Sequence, residues 1–394
     1  MASTAPGRPS YNAPMSKTYD VCIRGAGIVG RSLALLLAAK RLRVALLAQE
    51  TSAHSAHSDV RAYALSPSSR ALLESIRCWP DAASATPVTR MEVQGDDAGP
   101  VIFDAAQQDV EALNWIVDVP VLEGLLKEAV RFQPLIELVD APAKATLTVV
   151  CEGRASATRQ EYGVEFDAKP YHQWALAARV QCALPHGQVA RQWFDKGEVL
   201  ALLPLGGATG CECALVWSVS PERGQELLAQ DAASFCSGLE AASRASLGAL
   251  TLSSERKVWP LQAAQARRWV GSTSGGTSWA LAGDAAHNVH PLAGQGLNLG
   301  LGDVAKLVEV LDHRAYWRSV GDMKLLRAYE RARKTEYALV GGSGDAIQQM
   351  FQNNHPAWQK MRNFGLLGFE RSGRLKKWVT GRAMGTRLNS NAKP

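Results

Sequence analysis

The chain has 394 residues, of which 46% are hydrophobic and 20% are charged, and its formal net charge is +6. A chain of this size can bury a large core, and so mild a positive charge predicts no nucleic-acid partner. The seven cysteines lack the spacing of a zinc site, which predicts reduced thiols, a cytoplasmic location and no bound metal.

Hydrophobic patterning predicts an α/β opening, an antiparallel middle and a helical end. Residues 1–17 are polar and lack the apolar run of a signal peptide, so we expect a disordered lead-in. The longest apolar run is shorter than the roughly 18 residues that span a bilayer. The predicted elements are a strand at 19–24, a helix at 27–40, a strand at 42–48, helices at Ser66–Ser75 and Val119–Val130, a strand from residue 146, alternating strands within 162–220, a helix at 231–243, a strand from residue 278, and helices at 297–312, 322–351 and about 356–384.

The segment "GAGIVG", which runs from Gly25 through Ala26 to Gly30, lies between the first strand and the first helix. Gly25 permits a tight turn, Gly27 lets the backbone approach a pyrophosphate, and Gly30 lets the helix pack on the strand. The helix N-terminus offers N–H groups and a partial positive charge to phosphates. This motif predicts a dinucleotide site; the alternative is a tight turn of an unrelated α/β domain.

A second glycine-containing motif lies far downstream, in "GDAAHNVHPLAGQGLNLGLGDV", residues 283–304. A predicted strand leads to Gly283 and Asp284, and the Asp284 carboxylate can accept hydrogen bonds from ribityl or ribose hydroxyls. Gly294 and Gly296 allow backbone N–H groups to approach a flat ligand. The helix that follows directs its N-terminal dipole at that ligand and favours an anionic reduced ring. The alternative is a glycine-rich loop before a surface helix.

Four segments resemble the class A flavoprotein aromatic hydroxylases of the p-hydroxybenzoate-hydroxylase fold, and especially the ubiquinone-biosynthesis hydroxylases. The downstream glycine motif is the most specific of them, and the tail resembles the ubiquinone branch in particular. The segments are "IRGAGIVGRSLALLLA" at 23–38, "DVRAYALSPSSRALLESI" at 59–76, "GDAAHNVHPLAGQGLNLGLGDV" at 283–304 and "MFQNNHPAWQKMRNFGLLGFERSGRLKKWVTGRAMG" at 350–385.

The resemblance implies that FAD binds in an extended conformation and that NAD(P)H reduces it as a co-substrate, without a separate nicotinamide domain. Arg61 is expected near the cofactor phosphates or the mobile flavin, and Asp284 is expected to hold the ribityl chain. The other implied cofactor contacts are Gly25, Ala26, Gly27 and Gly30 at the pyrophosphate and Gly283, Pro291, Gly294, Gly296, Leu297 and Asn298 around the flavin.

The resemblance also implies the domain organisation. The expected fold class is α/β, and α+β overall, with a discontinuous Rossmann-like FAD-binding domain. An antiparallel-sheet substrate domain is inserted into it, and a helical region follows at the C-terminus. The predicted segments are 18–78, 108–160 and 275–320 for the FAD-binding domain, 79–107 and 161–274 for the substrate domain, and 321–394 for the helical region.

The chain departs from the family mainly at the adenosine end of the cofactor. Ala48 stands where the family has a ribose-binding Glu, and Glu50 lies two residues further on. Pro120 takes a place where the family often has Arg, Glu152 replaces an Asp, and Arg24 replaces a small apolar residue and could pair with a phosphate. A charged hydrogen bond contributes about 1.5–3 kcal/mol, so each loss weakens affinity by roughly one to two decades. We therefore expect FAD to be held loosely at this end.

The implied function is that of an FAD-dependent monooxygenase that uses NAD(P)H and O₂ to hydroxylate an aromatic ring, here a polyprenylated phenol of ubiquinone biosynthesis. The chemistry belongs to the flavin, and we predict no catalytic residue. His287 and His290 could act as acid or base, but loop packing also explains them. Two alternatives stay open: a flavin-poor paralogue that serves as scaffold or regulator in the same pathway, and a flavin reductase of the same fold.

Residues 371–394 predict peripheral contact with the inner face of a membrane. A basic segment with apolar neighbours can rest on anionic lipid, which suits a lipid-tailed substrate. The alternative is a solvated helix face, and a homodimer or a pathway complex is also compatible with the sequence. The segment contains no acidic residue, and its basic residues are Arg371, Arg374, Lys376, Lys377, Arg382, Arg387 and Lys393.

Overall fold

A computed structural model of the protein describes residues 17–48, 59–95, 100–207, 209–289 and 295–352. The helices within these ranges are Ile28–Ala39 (α1), Pro67–Ser75 (α2), Val119–Arg131 (α3), Ala157–Glu161 (α4), Pro221–Ala229 (α5), Ala232–Ala242 (α6), Gln295–Asp312 (α7) and Met323–Gln352 (α8). The strands are Tyr19–Arg24 (β1), Val44–Leu47 (β2), Ala62–Leu65 (β3), Ala85–Val88 (β4), Arg90–Gln94 (β5), Val101–Asp104 (β6), Asn114–Asp118 (β7), Ile136–Val139 (β8), Ala145–Val150 (β9), Phe166–Cys182 (β10), Val189–Asp195 (β11), Glu198–Pro204 (β12), Glu212–Val219 (β13), Leu250–Leu252 (β14), Lys257–Ala266 (β15), Val270–Ser272 (β16), Ser278–Leu281 (β17) and His287–Asn288 (β18).

A six-stranded sheet in the order β16-β17-β9-β1-β2-β8 forms the first layer. All its neighbouring pairs are parallel except β16 with β17. Arg24 at the end of β1 pairs with Val150 at the end of β9, and Leu281 at the end of β17 pairs with Val150 as well. Because the carboxyl ends of parallel strands meet at one edge of a sheet, the turns that follow β1, β9 and β17 lie side by side.

Both faces of this sheet are covered, which explains why the centres of its strands are continuous apolar runs rather than alternating patterns. Val21, Cys22 and Ile23 are all buried, and the helices α1 and α7 belong to the same packed cluster. The helix α8 adds Leu326 and the fully buried Tyr329, whose hydroxyl donates to the carbonyl of Leu281 at 2.8 Å. Helix α8 is therefore part of the core behind β17.

A mainly antiparallel nine-stranded sheet forms the second layer, in the order β18-β15-β10-β13-β12-β11-β5-β6, with β14 paired to β10. The long strand β10 shifts register between Pro170 and Trp174, and after this irregularity it pairs with β13 as well as β15. Helix α6 buries Phe235 and Leu239 in a cluster with Trp217 on this sheet. A third, three-stranded sheet has the order β3-β7-β4. In sequence, β3 leads into α2 and β7 leads into α3.

The sequence-based elements agree with this structure in the strongly periodic regions. The helices expected at Ser66–Ser75, Val119–Val130 and 231–243 are present with ends shifted by one residue, and Ser66 caps α2 by accepting from the Ser69 N–H. The mixed α/β fold class is confirmed. The strands β3 and β7 and the five-residue helix α4 were not predicted, because short half-buried segments carry little periodicity. The domain boundaries and the helix expected at 356–384 stay predictions, the latter outside the described residues.

Candidate functional site

The first glycine motif forms a turn that tolerates no side chain at two of its three glycines. Gly25 has φ +113°, and a β-carbon there would lie 2.4 Å from the Cys151 carbonyl oxygen. A β-carbon at Gly30 would lie 1.9 Å from the carbonyl oxygen of Gly25, so α1 can pack on β1 only if residue 30 is a glycine. Gly27 differs, since its backbone is extended and nothing lies within 4 Å of a β-carbon built on it. Packing thus explains Gly25 and Gly30, whereas the open side of Gly27 is available to a ligand.

The second motif meets the first at the side chain of Val29. A β-carbon at Gly283, which has φ +61°, would lie 3.2 Å from Val29 Cγ2, and one at Gly300 would lie 2.9 Å from the same atom. The two turns therefore line one continuous surface at the carboxyl edge of the parallel sheet. Gly296 and Leu297 lie in the first turn of α7, half-buried at this surface.

Asp284 follows β17 and occupies this same edge. Its side chain is exposed, so solvent reaches the carboxylate, yet the surrounding protein crowds it on several sides. Burial of this kind raises the pKa of Asp284 above the ordinary value for aspartate. The carboxylate is exposed at the edge where the turns meet, so it can accept hydrogen bonds from ligand hydroxyls.

A buried ionic network holds the turn that carries Asp284. Asp303 is fully buried on α7, and its Oδ2 accepts from the Gly283 N–H at 2.8 Å and lies 2.7 Å from His287 Nε2. Its Oδ1 accepts from Arg333 Nε of α8 at 2.7 Å. The His287 ring stacks on Trp269 with centroids 4.8 Å apart. These contacts make His287 a packing residue of the loop, in agreement with the second of its two sequence-based interpretations.

The Asp303 network was missed by sequence reasoning. The only signal was an acid in "GLGDV", on the apolar face of a predicted helix, where a carboxylate needs a buried partner. Arg333 lies on a different helix, so no spacing rule could connect it to Asp303.

The side chain of Asn298 ties α7 to the β3–α2 connection. Its Oδ1 accepts from the Ser66 N–H at 2.9 Å and from Ser69 Oγ at 2.7 Å, and its Nδ2 donates to the Ala64 carbonyl at 2.8 Å. With these bonds the amide fixes the N-terminus of α7 against β3. Pro291 and Gly294, also predicted to frame the flavin, lie outside the described residues.

Arg61 lies just before β3, and the side chain of Asp59 holds it. Asp59 accepts from Arg61 Nε at 2.9 Å and from its Nη2 at 2.5 Å, and Glu123 Oε1 of α3 lies 3.7 Å from Nη2. The hydrogen bonds that Arg61 donates to Asp59 raise the pKa of Arg61 above its ordinary value. Much of the charge of Arg61 is therefore already balanced by carboxylates, and its place near the cofactor phosphates stays a prediction.

At the adenosine end, Arg24 is occupied by protein carboxylates. Its Nε lies 3.3 Å from Glu152 Oε1 and its Nη1 lies 3.0 Å from Glu161 Oε2. This contradicts the idea that Arg24 is free to pair with a phosphate. Ala48 lies half-buried after β2, and its N–H donates to the Val139 carbonyl at 3.3 Å, so the position offers a ribose only a methyl group.

The segment "CEGRASATR", residues 151–159, keeps an ordered hydrogen-bond pattern despite its altered acid. Glu152 accepts from Ser156 Oγ at 2.7 Å and from the Thr158 N–H at 3.0 Å. Arg159 is buried and donates to the carbonyl of Ala285 at 3.1 Å, next to Asp284. Glu152 thus supports the turn after β9, which in turn supports the turn after β17.

The residues of this surface fit FAD in the space that they leave and in the hydrogen-bonding groups that they present. The open side of Gly27 leaves room for a phosphate against the backbone, and the exposed Asp284 carboxylate is an acceptor for the donors that ribityl hydroxyls possess. The fit is poorest at Ala48. The surface therefore has polar groups for the flavin and its ribityl chain, and few for the adenosine.

Comparisons with known proteins agree with this site. The family described as "FAD binding domain" matches residues 140–340, just over half of the chain. The 3-demethoxyubiquinol 3-hydroxylase of Escherichia coli is 30% identical, over 93% of this chain and 98% of the relative. The ubiquinone hydroxylase UbiL of Rhodospirillum rubrum is 29% identical, over 96% of this chain and 93% of the relative.

Solved structures share the fold at lower identity. PqsL of Pseudomonas aeruginosa superposes with a TM-score of 0.72 at 21% identity, covering 89% of this chain and 100% of that one. The p-nitrophenol 4-monooxygenase PnpA of Pseudomonas putida superposes with a TM-score of 0.70 at 17% identity, covering 94% and 99%. With the glycine turn, the downstream motif and these matches together, the chain belongs to the FAD-dependent monooxygenase family, in the group that contains the ubiquinone-pathway hydroxylases.

Proposed function

We propose that this flavoprotein hydroxylates the aromatic ring of a polyprenylated phenol on the route to ubiquinone, using NAD(P)H and O₂. The observation that carries the proposal is the meeting of the two glycine motifs at Val29, which brings both turns onto one surface at the carboxyl edge of the parallel sheet. The named relatives act on ubiquinone-pathway compounds, and the substrate class is taken from them.

In the proposed assignment, Gly25, Ala26, Gly27 and Gly30 form the turn that receives the pyrophosphate, and the free N–H groups at the N-terminus of α1 donate to it. Asp284 accepts hydrogen bonds from the ribityl chain. The flavin ring lies at the N-terminus of α7, framed by Gly296 and Leu297 together with Pro291 and Gly294. Asn298 acts indirectly, because its amide holds α7 against β3 and so fixes the position of that N-terminus.

When bound, FAD supplies hydride acceptance and the activation of O₂ that ring hydroxylation requires. The chain's own residues orient the two reactants and keep bulk water from the reacting atoms. The helix dipole of α7 stabilises negative charge that develops near its N-terminus. Arg159 and Asp303 hold the two turns that flank Asp284, so they set its position without contacting a reactant.

The purified protein tests this proposal. A flavin absorbance spectrum, bound FAD, NAD(P)H oxidation that depends on O₂ and a hydroxylated prenylphenol product are expected together. A colourless protein that does not take up added FAD would instead support a scaffold or regulator. NAD(P)H oxidation without a hydroxylated product from any prenylphenol would support a flavin reductase. Gly27→Ala, which adds a methyl group on the open side of the glycine turn, is the matched negative control.

We also propose a peripheral location on the inner face of a membrane, through residues 371–394, whose cationic and apolar residues alternate. A lipid-tailed substrate partitions into the bilayer, so an enzyme resting on the surface meets it at high local concentration. A homodimer or a complex with other enzymes of the pathway would serve the same purpose. Among the residues that the structure describes, no helix is sufficiently long and apolar to cross a bilayer.

A further inference from the structure

Arg31 lies in the opening turns of α1, directly behind the glycine turn. Its backbone N–H donates to the Gly27 carbonyl at 2.9 Å, which is the first hydrogen bond of the helix. A helical side chain leans toward the helix N-terminus and covers the turn before its own Cα. We therefore expect the Arg31 side chain on the side of the turn that begins at Gly27, where the backbone is open to a ligand.

The electrostatic surroundings of Arg31 are unfavourable for a cation. The side chain is half-buried, and no carboxylate of the described residues forms a salt bridge with it within 4 Å. Burial lowers the pKa of Arg31, and Glu123 on α3 opposes that effect only from a distance. The N-terminal end of a helix carries a partial positive charge, which repels a cation further. An anion beside this guanidinium would offset the cost of its burial.

Arg61, the cation that the sequence assigns to the phosphates, is differently placed. Asp59 binds it through two nitrogens, and Glu123 Oε1 lies 3.7 Å from its Nη2. At the start of α3, Pro120 supplies no charge at all. Of the two arginines, Arg31 is the one whose charge the carboxylates of the described residues balance least.

We propose that Arg31 is the principal cationic ligand of the FAD pyrophosphate and that it replaces the cation missing at Pro120. The proposal rests on the placement of the pyrophosphate at the glycine turn, given above. A guanidinium presents paired N–H donors that suit phosphate oxygens. The Glu123 carboxylate competes with the phosphates for Arg31. Binding of the adenosine ribose is then weaker because of Ala48, and binding of the pyrophosphate is stronger because of Arg31. The phosphates thus contribute more of the affinity for FAD than the ribose does.

Fluorescence titrations of the full-length protein with FAD and with riboflavin, which has no pyrophosphate, test this proposal. Arg31→Ala is expected to weaken FAD binding by about tenfold to a hundredfold, as for a lost charged hydrogen bond, and to leave riboflavin binding unchanged. Arg31→Lys should recover part of the loss. Glu123→Gln should tighten FAD binding severalfold, because it removes the competing carboxylate. Lys127→Ala, which deletes an exposed cation from α3, is the matched control and should change neither affinity.

Two results would overturn the proposal. In one, Arg31→Ala binds FAD as tightly as the unmodified protein. In the other, it weakens riboflavin as much as FAD, which indicates a general disturbance of the fold. An unmodified protein that binds neither ligand would overturn the cofactor site itself and this proposal with it, and that result is distinct from a failure confined to the Arg31 variants.

Discussion

The side chain of Val29 lies against Gly283, so that a β-carbon at Gly283 would be 3.2 Å from Val29 Cγ2. This contact joins two motifs that are far apart in sequence. It exists because β17 and β1 both pair with β9, which brings the turns at their carboxyl ends together. The cofactor surface is thus a consequence of strand order.

Gly27 and Gly30 of the first turn should respond differently to alanine. Gly30→Ala should destabilise the protein even without cofactor, because its β-carbon would meet the Gly25 carbonyl and the backbone cannot move away. Gly27→Ala should leave the melting temperature of the apo-protein unchanged, since nothing lies within 4 Å of the new atom, but should weaken FAD binding. Thermal unfolding and FAD titration of both variants measure this. A large loss of apo stability in Gly27→Ala would show that the glycine serves packing.

The Asp303–Arg333 pair should be costly to break from either side. Asp303→Asn leaves Arg333 with only the exposed Glu336 as counter-charge, and the loss of one partner of a buried pair typically costs about 3–5 kcal/mol. FAD affinity should fall as well, because Asp303 also holds the Gly283 N–H. Urea unfolding of Asp303→Asn and Arg333→Met gives the two costs. Arg331→Met, at an exposed position on the same helix, is the control, and a similar loss there would refute the assignment.

Stability should decline in acid because of buried carboxylates. Burial by itself would raise the pKa of Asp303, but His287 and Arg333 outweigh it and the net pKa lies below the ordinary value. For Glu152 burial is likewise outweighed, by hydrogen bonds from Thr158 and Ser156.

The unfolded chain binds protons at these carboxyls near about pH 4 to 4.5, before the folded protein does. Their contribution is therefore complete above that range and is lost as the pH falls through the lower folded values. Urea unfolding from about pH 6 to about pH 3.5 should show a falling free energy of unfolding, with a shallower slope for Asp303→Asn. Equal slopes would mean that Asp303 is not ionised in the folded protein.

The sequence predicted the elements and motifs that depend on local pattern, and it failed where function depends on distant partners. The glycine turn, the helix α1 and the downstream motif follow from spacing and turn chemistry alone. The engagement of Arg24 by Glu152 and Glu161 could not be predicted, because it depends on which strand lies beside β1. The Asp303–Arg333 pair is similar, since it joins two helices whose packing is decided by the whole core.

Deletion of residues 371–394 should weaken binding to anionic vesicles while leaving FAD affinity unchanged. Each basic residue near an anionic surface contributes roughly 1 kcal/mol, so the loss should be large at low salt and smaller at high salt. Co-sedimentation with vesicles rich in anionic lipid, and with neutral vesicles as control, measures it. Equal binding by the full-length and shortened chains would remove this segment as the membrane contact.

Replacement of Ala48 by Glu should tighten FAD binding, because a carboxylate at the end of β2 can accept hydrogen bonds from the adenosine ribose. A charged hydrogen bond of about 1.5–3 kcal/mol predicts a gain of roughly tenfold or more. Ala39→Glu adds the same charge at the exposed end of α1 and controls for a change in net charge. Riboflavin lacks the adenosine, so its affinity should not change in either variant. If Ala48→Glu leaves FAD affinity unaltered, the ribose is held elsewhere, and the weak adenosine end inferred from Ala48 is wrong.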